Sequence, residues 1–405
     1  MKYFIILYFL SLFTLANAKN IDRTDFYVNT RVTNADGMKE ENLKQRTLQE
    51  FVTRVGVRYR KNLNEDLFLD ADFRAVYEYI NYQKKSQTNT YLEIKRLSLE
   101  TQNILDTSIS AKIGRMTFKD KRTWWYDNEL DVLKLFHNET ILSWDFSAGG
   151  RISDERATAS ENRVGLKDYI YVIAHLDYQY YYKHHFETFS MYENNNKQTK
   201  LAWLGFSLNG DLSNEVRYWS NLAYVKGKIQ ISNDSIQGLG LDLGSIYKTN
   251  NYGFGFSYAY GQGSNANGSK KLFLQPAISN YKDYMIGNTR YRYYGELLDP
   301  QLSNMQIISL YGGFKIYTKT WLEVNLHKYM QNKASQEFRS SSLITKTNAV
   351  SKDIGQEIDF ILGRNVHKKN KLQFIISKFF AGNAFENVAE KKDSYRAIID
   401  FKLYW

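Results

Sequence analysis

The most regular signal in this chain is alternation of apolar and polar residues at a period of two. In residues 395–405 one face carries Tyr395, Ala397, Ile399, Phe401, Leu403 and Trp405, and the other Arg396, Ile398, Asp400, Lys402 and Tyr404. Successive side chains of a strand point to opposite faces, so this is a two-faced strand with one apolar and one mostly charged side. The pattern recurs. In residues 51–60, Phe51, Thr53, Val55, Val57 and Tyr59 oppose Arg54, Arg58 and Arg60. In 67–79, an apolar row from Leu67 through Phe73 to Tyr79 opposes Asp70, Asp72, Arg74 and Glu78. In 252–261, aromatic residues alternate with Gly, Ser and Ala. Further along, Glu323, Asn325 and His327 oppose Leu322, Val324 and Leu326, and Glu357 and Asp359 oppose Ile358, Phe360 and Leu362.

Strands of about ten residues with one lipid-compatible face suit the wall of a transmembrane barrel. The connections alternate in length. Residues 62–65, 209–214, 249–251 and 365–370 read as tight polar turns, and 34–49, 153–167, 261–284, 331–353 and 381–393 as long loops. Short turns on one rim and long loops on the other are the barrel arrangement. The expectation is an all-β fold: one antiparallel transmembrane barrel of about 18 strands, with 16 to 20 allowed. If both termini lie on the periplasmic side, the count is even. A plain count is odd unless residues 262–304 hold an extra pass or one counted segment lies outside the wall.

The start of the chain agrees with export. Lys2 precedes an apolar run from Tyr3 to Leu15, and Ala16-Asn17-Ala18 is a small-x-small cleavage site. Residues 1–18 therefore read as a signal peptide and 19–405 as the mature barrel. No later apolar run is long enough for a spanning helix, and the bilayer admits only helices or closed barrels.

Composition sharpens this picture. Cys is absent, so no disulfide framework supports the exported chain. The two prolines, Pro276 and Pro300, fall outside the alternating segments, as they must where each strand donates to a ladder. Aromatics make up 16%, with 32 Tyr, a residue suited to a membrane–water interface. The net charge of +11 would suggest nucleic acid for a soluble protein. In a barrel that charge belongs in the lumen and loops, where it attracts anions. No nucleic-acid partner is expected. The surroundings expected are outer-membrane lipid and lipopolysaccharide, reached through the barrel assembly machinery.

Three segments resemble the bacterial alginate export family of outer-membrane barrels. The first is Ile113-Gly-Arg-Met-Thr-Phe-Lys-Asp-Lys-Arg-Thr-Trp-Trp-Tyr-Asp-Asn-Glu-Leu-Asp131, a Gly-Arg strand end followed by a basic, aromatic and acidic loop. The second, and most specific, is Arg290-Tyr-Arg-Tyr-Tyr-Gly-Glu-Leu-Leu-Asp-Pro-Gln-Leu-Ser-Asn304. The third is Gly355-Gln-Glu-Ile-Asp-Phe360 with Ser377-Lys-Phe-Phe-Ala-Gly382 and the terminal strand. The chain departs from the family pattern at Met116, at Trp124-Trp125 and in ending on Trp405 rather than Phe. The resemblance implies a monomeric barrel of about 18 strands with a basic, anion-selective lumen, and a polyuronate such as alginate as cargo.

The candidate pore-lining residues are Arg54, Arg58, Arg74, Arg115, Arg122, Arg290, Arg292, Glu296 and Glu357. Arg290 and Arg292 are two apart, so on a strand they share a face with Tyr294 and Glu296, opposite Tyr291 and Tyr293. The planar guanidinium fork matches carboxylates, and a polyuronate carries one per sugar. These arginines could instead pair with lumenal acids such as Asp70, Asp72, Glu357 and Asp359. Strict alternation points Arg115 at lipid unless Gly114 bulges the strand or Arg115 sits at the rim. Arg122, Asp127, Glu129 and Asp131 read as a solvated loop that could fold into the pore.

The histidines form no metal set, and no cofactor is expected. His175 and Asp177 share a face, but no serine-nucleophile signature accompanies them, so an enzyme is not expected. The function expected is passive passage of an anionic polysaccharide or oligosaccharide. The alternative is a general or small-anion porin on the same scaffold. An outer-membrane hydrolase and an adhesive barrel are more distant rivals.

Overall fold

In the computed structural model, residues 23–39, 45–82, 85–151, 169–195, 198–230, 232–264, 271–339, 346–367, 369–388 and 393–405 are described. The signal peptide expected at residues 1–18 lies outside them.

Eighteen strands form one continuous antiparallel sheet among these residues. They are β1 (Arg23–Lys39), β2 (Gln45–Asn62), β3 (Leu67–Tyr82), β4 (Lys85–Thr101), β5 (Ser110–Lys119), β6 (Asp127–Asn138), β7 (Leu142–Gly150), β8 (Tyr169–Tyr181), β9 (His184–Asn195), β10 (Thr199–Asp211), β11 (Val216–Ile229), β12 (Asp234–Lys248), β13 (Tyr252–Gly261), β16 (Met305–Tyr317), β17 (Thr320–Gln331), β18 (Asp353–His367), β19 (Asn370–Ala381) and β20 (Ser394–Tyr404). Each pairs with its sequence neighbours. The ring closes where β1 meets β20, in register from Tyr27 opposite Tyr404 to Asp36 opposite Tyr395. Reciprocal backbone bonds of 3.1 Å between Phe26 and Trp405 extend that seam by one more residue.

Two further strands, β14 (Lys282–Tyr284) and β15 (Arg290–Arg292), form a separate short hairpin. The described residues of 262–304 thus make no extra pass through the wall, and the even count needs none. Both prolines lie in this segment. The connection expected at 34–49 is shorter than its sequence suggests, because β1 runs on to Lys39 and β2 starts at Gln45.

The two faces follow the alternation. Leu92, Ile113, Leu204, Phe254, Leu310 and Ile376 point outward and are each half or more exposed. In a water-soluble protein this belt would be an aggregation surface. Around a closed barrel it is the surface that meets lipid. The inward face buries Asp72, Glu78, Glu187, Glu323, Asp359 and Arg396. The terminal strand divides as its sequence indicates, with Tyr395 and Ile399 exposed and Arg396, Ile398 and Asp400 buried. Tight turns join the strands on one rim, such as those at Lys183 and Lys319, and the longer connections lie on the other.

These assignments give two tests. Leu204, at the centre of β10, faces out, and an arginine there should cost about 2–4 kcal/mol. Tyr91 on β4 faces in, close to Glu78 and Glu93. Leu204→Arg should lower the urea midpoint and the yield of heat-modifiable protein far more than Tyr91→Arg; equal losses would contradict the face assignment. Deleting residues 395–405 opens the sheet, leaving unpaired edges that a membrane does not tolerate. No heat-modifiable, membrane-inserted product should be recovered from that truncation.

Candidate functional site

Two segments from the long-loop side turn inward and fill much of the lumen. The first, residues 120–126, joins β5 to β6. The second, residues 271–304, joins β13 to β16 and contains the β14–β15 hairpin.

The first segment is built on Asp120. Its carboxylate accepts backbone N–H bonds from Arg122 and Trp124 at 3.2 Å, Trp125 at 3.1 Å and Tyr126 at 2.8 Å. Burial pushes this carboxyl up to about 7 in spite of those donors, with the nearby Glu187 charge adding to the rise. The aromatic residues act as wedges. Trp125 stacks on Phe189 at 4.8 Å, Trp124 lies against Phe273 at 6.2 Å, and Trp124 Nε1 donates to Tyr294 Oη at 3.0 Å. The loop is therefore packed rather than solvated. Arg122 is buried between the rings of Trp219 at 3.9 Å and Tyr293 at 4.2 Å, with Nε 3.3 Å from Asp242. It braces the lumen filling and contributes to the lining of one lumenal cavity.

The second segment is held by the inner face of the wall. Glu357 on β18 accepts the backbone N–H groups of Leu297 at 2.7 Å and Leu298 at 2.9 Å. Asp359 accepts from Glu296 N at 3.3 Å, and Glu323 on β17 accepts from Ile286 N at 3.2 Å and Tyr291 Oη at 3.0 Å. Tyr311 and Tyr329 donate to the carbonyls of Tyr293 and Tyr294, each at 2.8 Å, and Arg396 donates to the Glu296 carbonyl. Gly295 has φ +109°, and a Cβ there would lie 2.1 Å from Tyr329 Oη. Small inward residues make room elsewhere; a Cβ on Gly240 would meet the Phe273 ring at 2.4 Å. The Gly-Ser-Ala face of β13, readable in the sequence, is part of this accommodation.

Arg290 and Arg292 accordingly lie on the inner hairpin and not on a wall strand. Arg290 bonds Asp127 at 2.6 Å and the Lys282 carbonyl at 2.9 Å. Arg292 is buried, 3.1 Å from Asp299 and 3.8 Å from Glu296. The strand face expected to unite Arg290, Arg292, Tyr294 and Glu296 ends at Arg292, where β15 stops. Glu296 and Glu357 are docking groups of the same inner segment. Arg115 keeps its register with Leu97 and Asp131, on the outward parity. Gly114 before it has φ +115°. Arg115 forks onto Asp131 of β6 at 2.8 and 2.7 Å and bonds the Ile94 carbonyl of β4 at 3.1 Å, so from β5 it ties together its two neighbouring strands.

The remaining candidates do line the lumen. Arg54, Arg58 and Arg74 share the inward face of β2 and β3. Arg58 is 38% exposed and 3.5 Å from Asp70, and Arg74 bonds Glu93 at 2.6 Å. Arg54 is half-buried and makes no ion pair with a described residue. Arg31 on β1, forked onto Asp400 at 2.9 and 2.7 Å, and Arg96 on β4, 3.9 Å from Asp70, continue the row. These two were not singled out from sequence, although Arg31 shares its parity with Tyr27 and Thr33. The arginines are thus interleaved with Asp70, Glu93 and Asp400 along one side of the lumen, opposite the filled side.

Toward the tight-turn rim this row borders a cavity of about 430 Å³, lined in part by Arg96, Lys112, Lys121, Lys134 and Glu187. A second cavity, of about 370 Å³, includes Lys121, Lys183, Asn209, Arg217 and Tyr218 in its lining. His175, a hydrolase candidate by sequence, has its ring nitrogens 3.3 Å from Asp145 and 3.2 Å from Glu187. Both are taken by carboxylates, which leaves neither for a serine.

The Asp120 cradle can be tested directly. Asp120→Ala would orphan four buried donors, each worth about 1–3 kcal/mol. The barrel should still insert, while residues 120–126 become cleavable by protease and the emission of Trp124 and Trp125 shifts toward that of wet indole. A variant as protease-resistant as the parent would show that the aromatic wedges alone hold the loop.

Comparison with known proteins agrees with this architecture. The family model described as alginate export matches residues 165–398, more than half of the chain. The alginate production protein AlgE of Pseudomonas aeruginosa is 22% identical over 288 residues, covering 62% of this chain and 59% of that protein. The match thus spans less than two thirds of the relative's length. Among solved structures, Pseudomonas aeruginosa OccK5 (OpdH) is similar with a TM-score of 0.59 at 11% identity, covering 96% of this chain and 100% of that one. Acinetobacter baumannii OccAB4 gives the same TM-score, identity and coverage. Pseudomonas aeruginosa OpdK with vanillate gives 0.55 at 9% identity, covering 95% and 100%. At such identities these likenesses speak for the fold alone. With that family model spanning most of its second half and a closed barrel of 18 strands around it, the chain belongs to the alginate export family and is a β-barrel of the bacterial outer membrane.

Proposed function

We propose that this barrel is a passive channel for anionic saccharides, uronate oligomers or polymers, which travel along the inner faces of β1 to β4. The observation that carries this is the row Arg31, Arg54, Arg58, Arg74 and Arg96 on the side of the lumen left open by the inward segments. Each guanidinium can take a sugar carboxylate in a two-pronged contact. The interleaved acids Asp70, Glu93 and Asp400 compete for the same arginines. That competition keeps each contact weak enough to release, which conduction requires. Membership of the alginate export family supports the same cargo class.

A second reading has its own support. The inward segments narrow the lumen with large buried side chains, among them Trp124, Trp125, Tyr291 and Tyr294. A narrowed, charged lumen also suits small carboxylates, and one structural neighbour is OpdK with vanillate. Planar-bilayer recording separates the two. A polymer channel is blocked by oligouronates more strongly as chain length grows; a small-anion channel passes benzoate-sized carboxylates and ignores the polymer.

Inverting both charges in Arg54→Glu with Arg58→Glu should move the reversal potential across a salt gradient toward cations and weaken oligouronate block. The shift should be large at 0.1 M salt and small at 1 M, because the Debye length falls from about 10 Å to about 3 Å. A folded double variant with the parental reversal potential at low salt would remove the β2 arginines from the path. The corresponding change at Arg290 and Arg292 should instead loosen the lumenal hairpin, because Arg290 ties it to Asp127 of β6 and Arg292 ties it to Asp299 and Glu296.

A further inference from the structure

The two lumenal cavities share Asp120, Lys121 and Glu187 in their linings. Lys121 is the one cation common to both among the described residues, so its side chain stands at their junction. Its backbone is fixed on either side. Asp120 is held by four backbone N–H groups, and the rings of Trp124 and Trp125 are wedged between wall and inner segment. Its ammonium is held differently. The side chain is 47% exposed, and Nζ reaches Asp177 on β8 at 2.8 Å and Glu187 on β9 at 3.2 Å.

Those two carboxylates do not depend on Lys121. Asp177 also bonds His185 Nδ1 at 2.8 Å. Glu187 also bonds His175 Nε2 at 3.2 Å and Asn209 Nδ2 at 2.6 Å. Removing one partner from a buried charge is costly when it leaves that charge alone. Here each acid keeps at least one other partner, so the ammonium can leave without stranding either. A lysine stem is flexible, and its head is a compact point charge with three rotatable donors. The result is a cation with a fixed base and a displaceable head between the two cavities.

We propose that Lys121 is the residue that passes a solute carboxylate from one lumenal cavity to the other. The ammonium leaves Asp177 and Glu187 for an arriving carboxylate, swings with it across the junction, and is recaptured by the two acids when the solute moves on. No covalent bond is made. This rests on the anion-channel reading above and adds to it the group that links the two cavities.

Because the chain has no cysteine, Lys121→Cys gives a single reactive thiol that can be recharged after the barrel has folded. The folded variant is inserted in a planar bilayer and treated with a methanethiosulfonate carrying either an ammonium or a sulfonate. Block by tri(galacturonic acid) is then measured, with maltotriose as the uncharged control. Lys121→Cys alone should weaken the trigalacturonate block about tenfold, the scale of one lost hydrogen bond to a charged group. The ammonium reagent should restore most of it, and the sulfonate reagent should abolish it and shift the reversal potential toward cations. Maltotriose should be indifferent to all three states. Lys319→Cys, in an exposed tight turn, should show none of these changes. If the ammonium and sulfonate forms of Lys121→Cys block alike, Lys121 is not the transfer residue, while the arginine row stands. If the parent itself shows neither anion preference nor trigalacturonate block, the channel reading falls and this inference with it.

Discussion

Inside a bilayer the backbone finds no water, so every N–H and C=O that crosses it must be paired within the protein. That requirement dictates most of what this chain does. It makes the sheet close, with β20 returning to β1 over ten paired residues and the Phe26–Trp405 bonds beyond them. It turns the apolar face of every strand outward and leaves the charged face with nowhere to go but the lumen. An excess of basic residues therefore becomes an internal electrostatic field.

A barrel of 18 strands encloses more space than its wall side chains fill. The chain spends two connections on that space. Both are fixed by carboxylates that accept backbone amides: Asp120 within its own loop, and Glu323, Glu357 and Asp359 from the wall. Such an acid removes several unpaired donors at once, at the cost of its own desolvation. Aromatic rings then make the contacts between loop, hairpin and wall. The filling covers β9 to β13 and β16 to β18 and leaves β1 to β4 lined by partly buried arginines. The asymmetry of the lumen thus follows from where two loops dock, and it is this asymmetry that gives the proposed path a side.

The lumenal residues fall into groups that look alike in sequence and differ in role. Arg58 and Arg122 are both basic residues near acids. Arg58 faces open lumen beside Asp70, whereas Arg122 is clamped between two rings. Glu93 pairs with an arginine on the neighbouring strand, whereas Glu357 holds the amides of Leu297 and Leu298. Lys121 differs again, in that its acids keep other partners when it leaves.

Alternation, together with the signal segment and the turn lengths, determined the fold class and the outward and inward faces of the clear strands; a plain strand count is odd, and the even ring of 18 comes from the structure. Alternation could do so because strand periodicity is a local property and lipid admits one solution to it. Arg54, Arg58 and Arg74 share one strand parity with Asp70 and Asp72 for the same reason. The fate of residues 120–126 and 271–304 was not local. Their aromatic content, Trp124-Trp125 and Tyr293-Tyr294 above all, marks them for burial, and the Gly-Ser-Ala face of β13 marks a wall that something approaches. Neither says which surface meets which. Arg290 and Arg292 look like a strand face because they are two apart, but the strand that holds them is only three residues long and their charges meet Asp127 and Asp299. The junction at Lys121 is further still from the sequence. Lys121, Asp177 and Glu187 come from a loop and two strands, and only the closed barrel, with that loop folded inside it, brings them within 3.2 Å.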